Sequence, residues 1–222
     1  MKLAAFCVLG LIASPVLGST YIDPVGDIAT GNSNLDITQV DITDNGTDLT
    51  VQLTVDSLDG DWGKYMFFMD TGLGGSDDND NPWFRDVSGL SGMDWFVGSW
   101  LDGGGGAAMY EHLGDDGWIQ FLTGISVEVD WANNTIEWNF SNLVEMLVME
   151  GATGFDFEFG TTGGGMGDPA IDLIGAEGTQ PGWGGGSTST DLSHYDFSTV
   201  PAPGALALLG LAGLTSRRRR RH

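Results

Sequence analysis

Leu49, Val51, Leu53 and Val55 alternate with Thr50, Gln52 and Thr54, and this two-residue period constrains the chain more than any other feature. Alternation gives a strand one apolar face and one wet face. The signal recurs along the chain. Ile37, Val40 and Ile42 mark a partner strand over residues 35–43, with Asp44-Asn45-Gly46-Thr47-Asp48 as the turn between the two. The apolar phase slips by one at Thr38-Gln39, which predicts a β-bulge. Residues 109–113 and 118–122 flank Gly114-Asp115-Asp116-Gly117 as a second hairpin. In a third, Val127, Val129 and Trp131 face one way, followed after Ala132-Asn133-Asn134 by Ile136, Trp138 and Phe140.

Other strands carry different patterns. Residues 65–69 are continuously apolar, as in a strand buried on both faces, and residues 94–101 read as the next strand. Phe155, Phe157 and Phe159 give an aromatic inner face, residues 170–174 form a short apolar piece, and residues 194–198 a final strand. A helix is expected only over residues 141–150, capped by Ser141 or Asn142, with Leu143, Met146, Leu147 and Glu150 at helical spacing. No internal repeat is present. About nine short strands, turn signals between them and one short helix predict an all-β chain, an antiparallel β-sandwich.

Both ends differ from this body. Lys2 precedes an apolar run over residues 3–12, and Val16-Leu17-Gly18 supplies small residues for cleavage, so residues 1–18 read as a secretory signal peptide. Cys7, the single cysteine, lies inside that run, so residues 19–199 have no thiol for disulfides or metal ligation. At the other end, Val200-Pro201-Ala202-Pro203 halts the fold, residues 204–214 carry no polar side chain, and Arg217, Arg218, Arg219, Arg220 and Arg221 follow. A helix over residues 200–216 reaches only about 25 Å, against a hydrocarbon core of about 30 Å. The tail therefore suits a transient membrane tether; a lasting transmembrane anchor is the alternative.

Proline motif, apolar helix and terminal arginines in that order resemble the PEP-CTERM sorting signal of Gram-negative bacteria, with Ala202 where the family has Glu. The resemblance implies that Val200, Pro201, Pro203 and Arg217 to Arg221 address the chain to export and sorting machinery of the inner membrane. It further implies exosortase-type cleavage and release to the cell surface or extracellular matrix. In the body, Asp23-Pro24-Val25-Gly26-Asp27, followed by Asp36-Ile37-Thr38 and Asp48-Leu49-Thr50, loosely resembles secreted DOMON and family-nine carbohydrate-binding-module domains. Those are β-sandwiches that bind sugars or haem, some with a structural calcium. Haem needs axial ligands, and His112 and His194 are the only histidines in residues 19–199, so the sugar-binding side is the one implied.

Charge narrows the partners. Residues 19–199 hold all 31 Asp and Glu against two cations, Lys64 and Arg85, a formal −29. Such a body repels nucleic acid and anionic membrane. It attracts divalent cations, though an acidic surface equally suits a protein adapted to salt. Asp77-Asp78-Asn79-Asp80-Asn81, with Asp70 upstream, packs hard oxygen ligands into one loop, and Ca²⁺ is the ion such ligands suit; a plain solvated acidic loop is the alternative. Asp23 and Asp27 form a second, weaker candidate.

Catalytic motifs are absent: there is no Gly-x-Ser-x-Gly elbow, zinc motif or triad, and Glu111, Glu137 and Glu158 read as solvent-facing strand positions. Aromatic side chains offer more. Trp131 and Trp138 fall in the inward phase of their hairpin, and at most one of Trp95 and Trp100 points inward. Trp62, Trp83 and Trp183 lie among loop residues. Trp83 with Arg85 and Asp86 is the expected ligand-binding edge, unless Trp83 merely plugs the end of the sandwich. The expected function is a non-catalytic carbohydrate-binding-like module of the cell surface or matrix. The alternative is a structural biofilm or matrix protein assembled through calcium.

Overall fold

The computed structural model describes residues 17–121, 124–176 and 178–198. The signal-peptide core, Cys7 and the proposed sorting tail lie outside the described residues. Among the described residues, fourteen strands and one α-helix follow in order: β1 (Leu17–Ile22), β2 (Ile37–Asp44), β3 (Leu49–Val55), β4 (Lys64–Asp70), β5 (Val87–Ser88), β6 (Trp95–Trp100), β7 (Gly106–His112), β8 (Trp118–Phe121), β9 (Ile125–Asp130), β10 (Thr135–Phe140), α1 (Leu143–Glu150), β11 (Gly154–Thr162), β12 (Ala170–Leu173), β13 (Ser187–Thr188) and β14 (Ser193–Asp196).

These strands form an all-β, sandwich-like fold. One antiparallel sheet has the order β1-β2-β3-β10-β9. The other has the order β12-β11-β4-β6-β7-β8, with β14 also paired to β11. The hairpins arise where period two and turn residues coincide. The bulge expected at Thr38 is present as a register shift between Ile37 and Gln39 against β3. Between the sheets lies an apolar core, in which Ile42, Val51, Leu53, Ile136 and Trp138 of the first sheet face the inner side of the second. There Phe67 meets Phe155, Phe157 and Phe159 at centroid distances of 5.4–5.9 Å, within the range of favourable ring pairs.

The second sheet is covered on its other side too. Met66, Phe68 and Phe96 point away from the sandwich into a separate cluster with Val87, Leu90, Met93 and Leu173. The cover comes from the loops around β5 and from the segment after β12, joined by the parallel pair β5–β13. This explains why β4 is buried at five consecutive positions, as its unbroken apolar run predicts.

Helix α1 starts two residues later than expected, and neither Ser141 nor Asn142 caps it with a side chain. Asn142 has φ +62°, and its N–H donates to Asp48 Oδ1 of the first hairpin turn. Leu143, Val144 and Leu147 bury the helix against the main core. Trp131 departs from expectation: it is 50% exposed. β9 ends at Asp130, whose Oδ1 accepts N–H bonds from Ala132 and Asn133, so Trp131 enters the turn and the strand phase no longer governs it. Trp138 and Trp95 are buried, and Trp100 is half-buried. Among the described residues no helix is long and apolar enough to cross a membrane.

Candidate functional site

The loop between β4 and β5 builds one face of the molecule. Asn81, buried, closes it from inside: its Nδ2 donates to the Arg85 carbonyl and its Oδ1 accepts from the Arg85 N–H, both at 2.9 Å. The intervening Pro82-Trp83-Phe84 is thereby pushed outward, with Phe84 at φ +52° and 68% exposed. Trp83 lies half-buried over the strand β6. Its ring sits 5.4 Å from Phe96 and 6.4 Å from Trp100, centroid to centroid. Only glycine fits beneath it, since a Cβ built on Gly98 would run into the indole at Cζ2.

Both cations of the body come to this place. The Arg85 guanidinium lies 5.5 Å from the Trp83 ring centroid, an arrangement that favours cation–π attraction. Arg85 is buried, donates to the Gly165 carbonyl and has Asp168 Oδ2 3.9 Å away. Burial pushes the Arg85 pKa down and Asp168 pushes it back up; an arginine stays charged under both. Lys64, at the start of β4, places its Nζ 2.9 Å from Asp102 Oδ1 and 3.1 Å from the Trp62 carbonyl. Together Lys64, Trp83, Phe84, Arg85, Trp100 and Met166 line a shallow groove of about 350 Å³. Beside it, Trp62 and Trp183 form a tilted pair 6.1 Å apart, 39% and 47% exposed. Gly163, against which the Trp183 ring rests, adjoins Gly164 of the groove.

Asp86 belongs to the loop but does not line the groove. Its carbonyl accepts from the Ser187 N–H and Oγ, tying this loop to β13, and its side chain is exposed.

Asp70 ends β4, and Asp77, Asp78 and Asp80 lie in the loop after it; none belongs to a group of three carboxylates close enough to share one metal ion among the described residues. Asp70 Oδ1 accepts from the Gly72 N–H, and Asp78 Oδ1 accepts from the N–H groups of Asn79 and Leu90. Asp80 Oδ2 lies 3.9 Å from His112 Nε2, and Asp77 is exposed. Among the described residues, the carboxylates that converge closely enough for one metal ion are instead Asp23, Asp27 and Asp172, with one oxygen from each lying within 4.8 Å of the others.

That cluster is built from distant parts of the sequence. Asp172 interrupts the apolar strand β12; its Oδ2 accepts from the Ile37 N–H at 2.6 Å and its Oδ1 from the Leu173 N–H. Asp36 precedes β2, and its Oδ2 accepts from the Gly26 N–H at 2.8 Å, which holds the Asp23–Asp27 loop in place. Burial pushes Asp23 up to about 8, helped by the charges of Asp172, Asp27, Glu158 and Asp36. Asp172 is pushed up to about 7 by burial and by Asp27 and Asp36, against the two N–H donors. Asp36 is raised for the same first reason.

Glu158 corrects the reading of β11 as half-exposed: it is fully buried. The loop layer covers the face that alternation assigned to water. Its carboxylate accepts from the Phe159 and Gly175 N–H groups and from Ser189 Oγ, and burial pushes it up to about 7 despite these donors. An apolar segment interrupted by one carboxylate, as at Asp172, was the signal available in the sequence. The partner loops were not.

A larger cleft of about 640 Å³ lies elsewhere, with Asp94, Glu111, His112 and Glu150 in its walls. Asp94 is spent there on structure, since its two oxygens accept from the Thr71 N–H and Oγ. Burial, then Glu150 and Asp94, raise Glu111. Comparison with known proteins finds no matching family model and no matching curated protein.

Proposed function

We propose that the chain is an exported, non-catalytic binding module that holds polysaccharide in the groove between Trp83 and Trp100. The observation that carries this reading is the convergence of Lys64 and Arg85, the only cations in residues 19–199, on one aromatic groove. Indole faces stack on the C–H faces of sugar rings; the buried Arg85 guanidinium braces the Trp83 ring from beside it, and the Lys64 ammonium, with two N–H groups used on Asp102 and the Trp62 carbonyl, keeps a third for a sugar hydroxyl. A shallow, open groove suits a segment of a polymer better than a small enclosed ligand. The amino-terminal apolar run and the proline–apolar–arginine tail support export and delivery to the cell surface or matrix.

Trp83→Ala should weaken retention on the recognised polysaccharide about tenfold, with far-ultraviolet circular dichroism unchanged, and Trp83→Phe should keep most of it. Equal retention by all three proteins would remove the groove as the site. No retention of any glycan by the unaltered protein would favour the structural matrix reading. As a separate check on the non-catalytic assignment, incubation with a polysaccharide panel should release no reducing sugar. Release that disappears in Glu111→Gln would instead place a hydrolase in the larger cleft.

A further inference from the structure

We propose that Asp23, Asp27, Asp36 and Asp172 hold a calcium ion that pins the first loop of the body to β12. The inference is independent of the polysaccharide reading. It rests first on the close approach of Asp23, Asp27 and Asp172, whose oxygens span no more than 4.8 Å. A second observation concerns what those oxygens lack. Asp23 is 6% exposed and Asp36 3%, yet Asp23 Oδ2 and Asp36 Oδ1 are buried without any hydrogen-bond donor, as is Asp27 Oδ1. A buried carboxylate oxygen with no donor or cation is costly.

Among the described residues, neither lysine nor arginine is at hand to balance them. Lys64 is paired with Asp102, and Arg85 with Asp168, at the groove. The ligand chemistry selects the ion. All the atoms offered are carboxylate oxygens, so a nitrogen- or sulfur-seeking ion such as zinc is disfavoured. Ca²⁺ takes six to eight oxygens in flexible geometry, and oxygens bound to one such ion lie a few ångströms apart. Mg²⁺ demands a strict octahedron and gives up its waters reluctantly, which suits a buried site of four carboxylates poorly. Asp172 and Asp36 are already oriented by the N–H groups of Ile37, Leu173 and Gly26, so the site is held ready from two sides.

The test is thermal unfolding of the full chain in chelator, in 1 mM Ca²⁺ and in 1 mM Mg²⁺, together with metal analysis after dialysis. Calcium should raise the melting temperature by about 5–10 °C over chelator, and magnesium by clearly less. One calcium per chain should remain bound. Asp27→Asn, at the half-buried rim, should abolish the calcium shift while melting in chelator at or above the unaltered protein. A purely structural role for Asp27 would not produce that combination. Asp78→Asn, in the acidic loop after β4, should leave the shift intact. The proposal is overturned if the unaltered chain shows neither shift nor bound calcium. It is equally overturned if Asp27→Asn keeps the full shift or Asp78→Asn removes it.

Discussion

Gly98→Val should lower the melting temperature by about 4–10 °C and abolish polysaccharide retention together. By local rules the change looks favourable, because valine suits the middle of a strand and glycine weakens one. Gly98 sits inside β6, paired with Met66 on one side and Ala108 on the other. What decides the outcome is the Trp83 ring lying on its Cα. The ring cannot slide aside freely, since Phe96 and Trp100 flank it and Arg85 stands beside it. Valine therefore either strains the outer cluster or expels Trp83 from the groove. Calorimetry and a retention assay on the same preparation measure both effects. A variant that melts normally and still retains glycan would show that Trp83 neither needs Gly98 nor carries the site.

With chelator present, the melting temperature should fall by about 5 °C or more between pH 6 and pH 8. The sign follows from the buried acids. Asp23 and Asp172, with ordinary values of 3.8, stand at about 8 and about 7 in the folded chain, and Glu158 rises from 4.5 to about 7. Between those limits the folded chain keeps protons that the unfolded chain has released. Their stabilisation is complete below the unfolded values and is lost as pH rises through the folded ones. His194 acts in the same direction, since Asp156 and Asp196 raise its pKa, so it too loses a favourable charge on going basic. Asp172→Asn and His194→Gln measured in parallel separate the two sources, and a slope unchanged in both variants would refute the assignment. Calcium should remove the share of the slope that comes from Asp23 and Asp172, because the ion takes over from their protons, and leave the shares of Glu158 and His194.

Legibility followed distance along the chain. The hairpin at Asp44–Asp48, the bulge at Thr38 and the aromatic face of β11 each depend on neighbours a few residues away, and alternation reports such neighbours directly. Trp83 and Arg85 could be singled out together because they are two residues apart. Lys64 and Trp100 joined them only through the pairing of β4 with β6. The carboxylate cluster needed residues 23, 27, 36 and 172 to meet across both sheets, and no local pattern encodes that meeting. Glu158 was misread for a related reason: period two distinguishes the faces of a strand but cannot tell that loops will cover the outer one.

The strand registers also place the two ends of the described body relative to the groove. Gly18 pairs with Thr43, and the Ser198 N–H donates to Asp44 Oδ2, so the chain enters and leaves at one corner. That corner adjoins the Gly154 end of β11, which pairs with Asp196. Lys64 and Trp100 lie at the opposite end of the same sheet, beside Thr162. From Gly154 to Thr162 a strand extends roughly 25 Å. A body suspended from either terminus would thus hold its aromatic groove at the far end, turned away from the point of attachment. On that geometry the length of β11 sets how far the groove stands from the corner where the described body begins and ends.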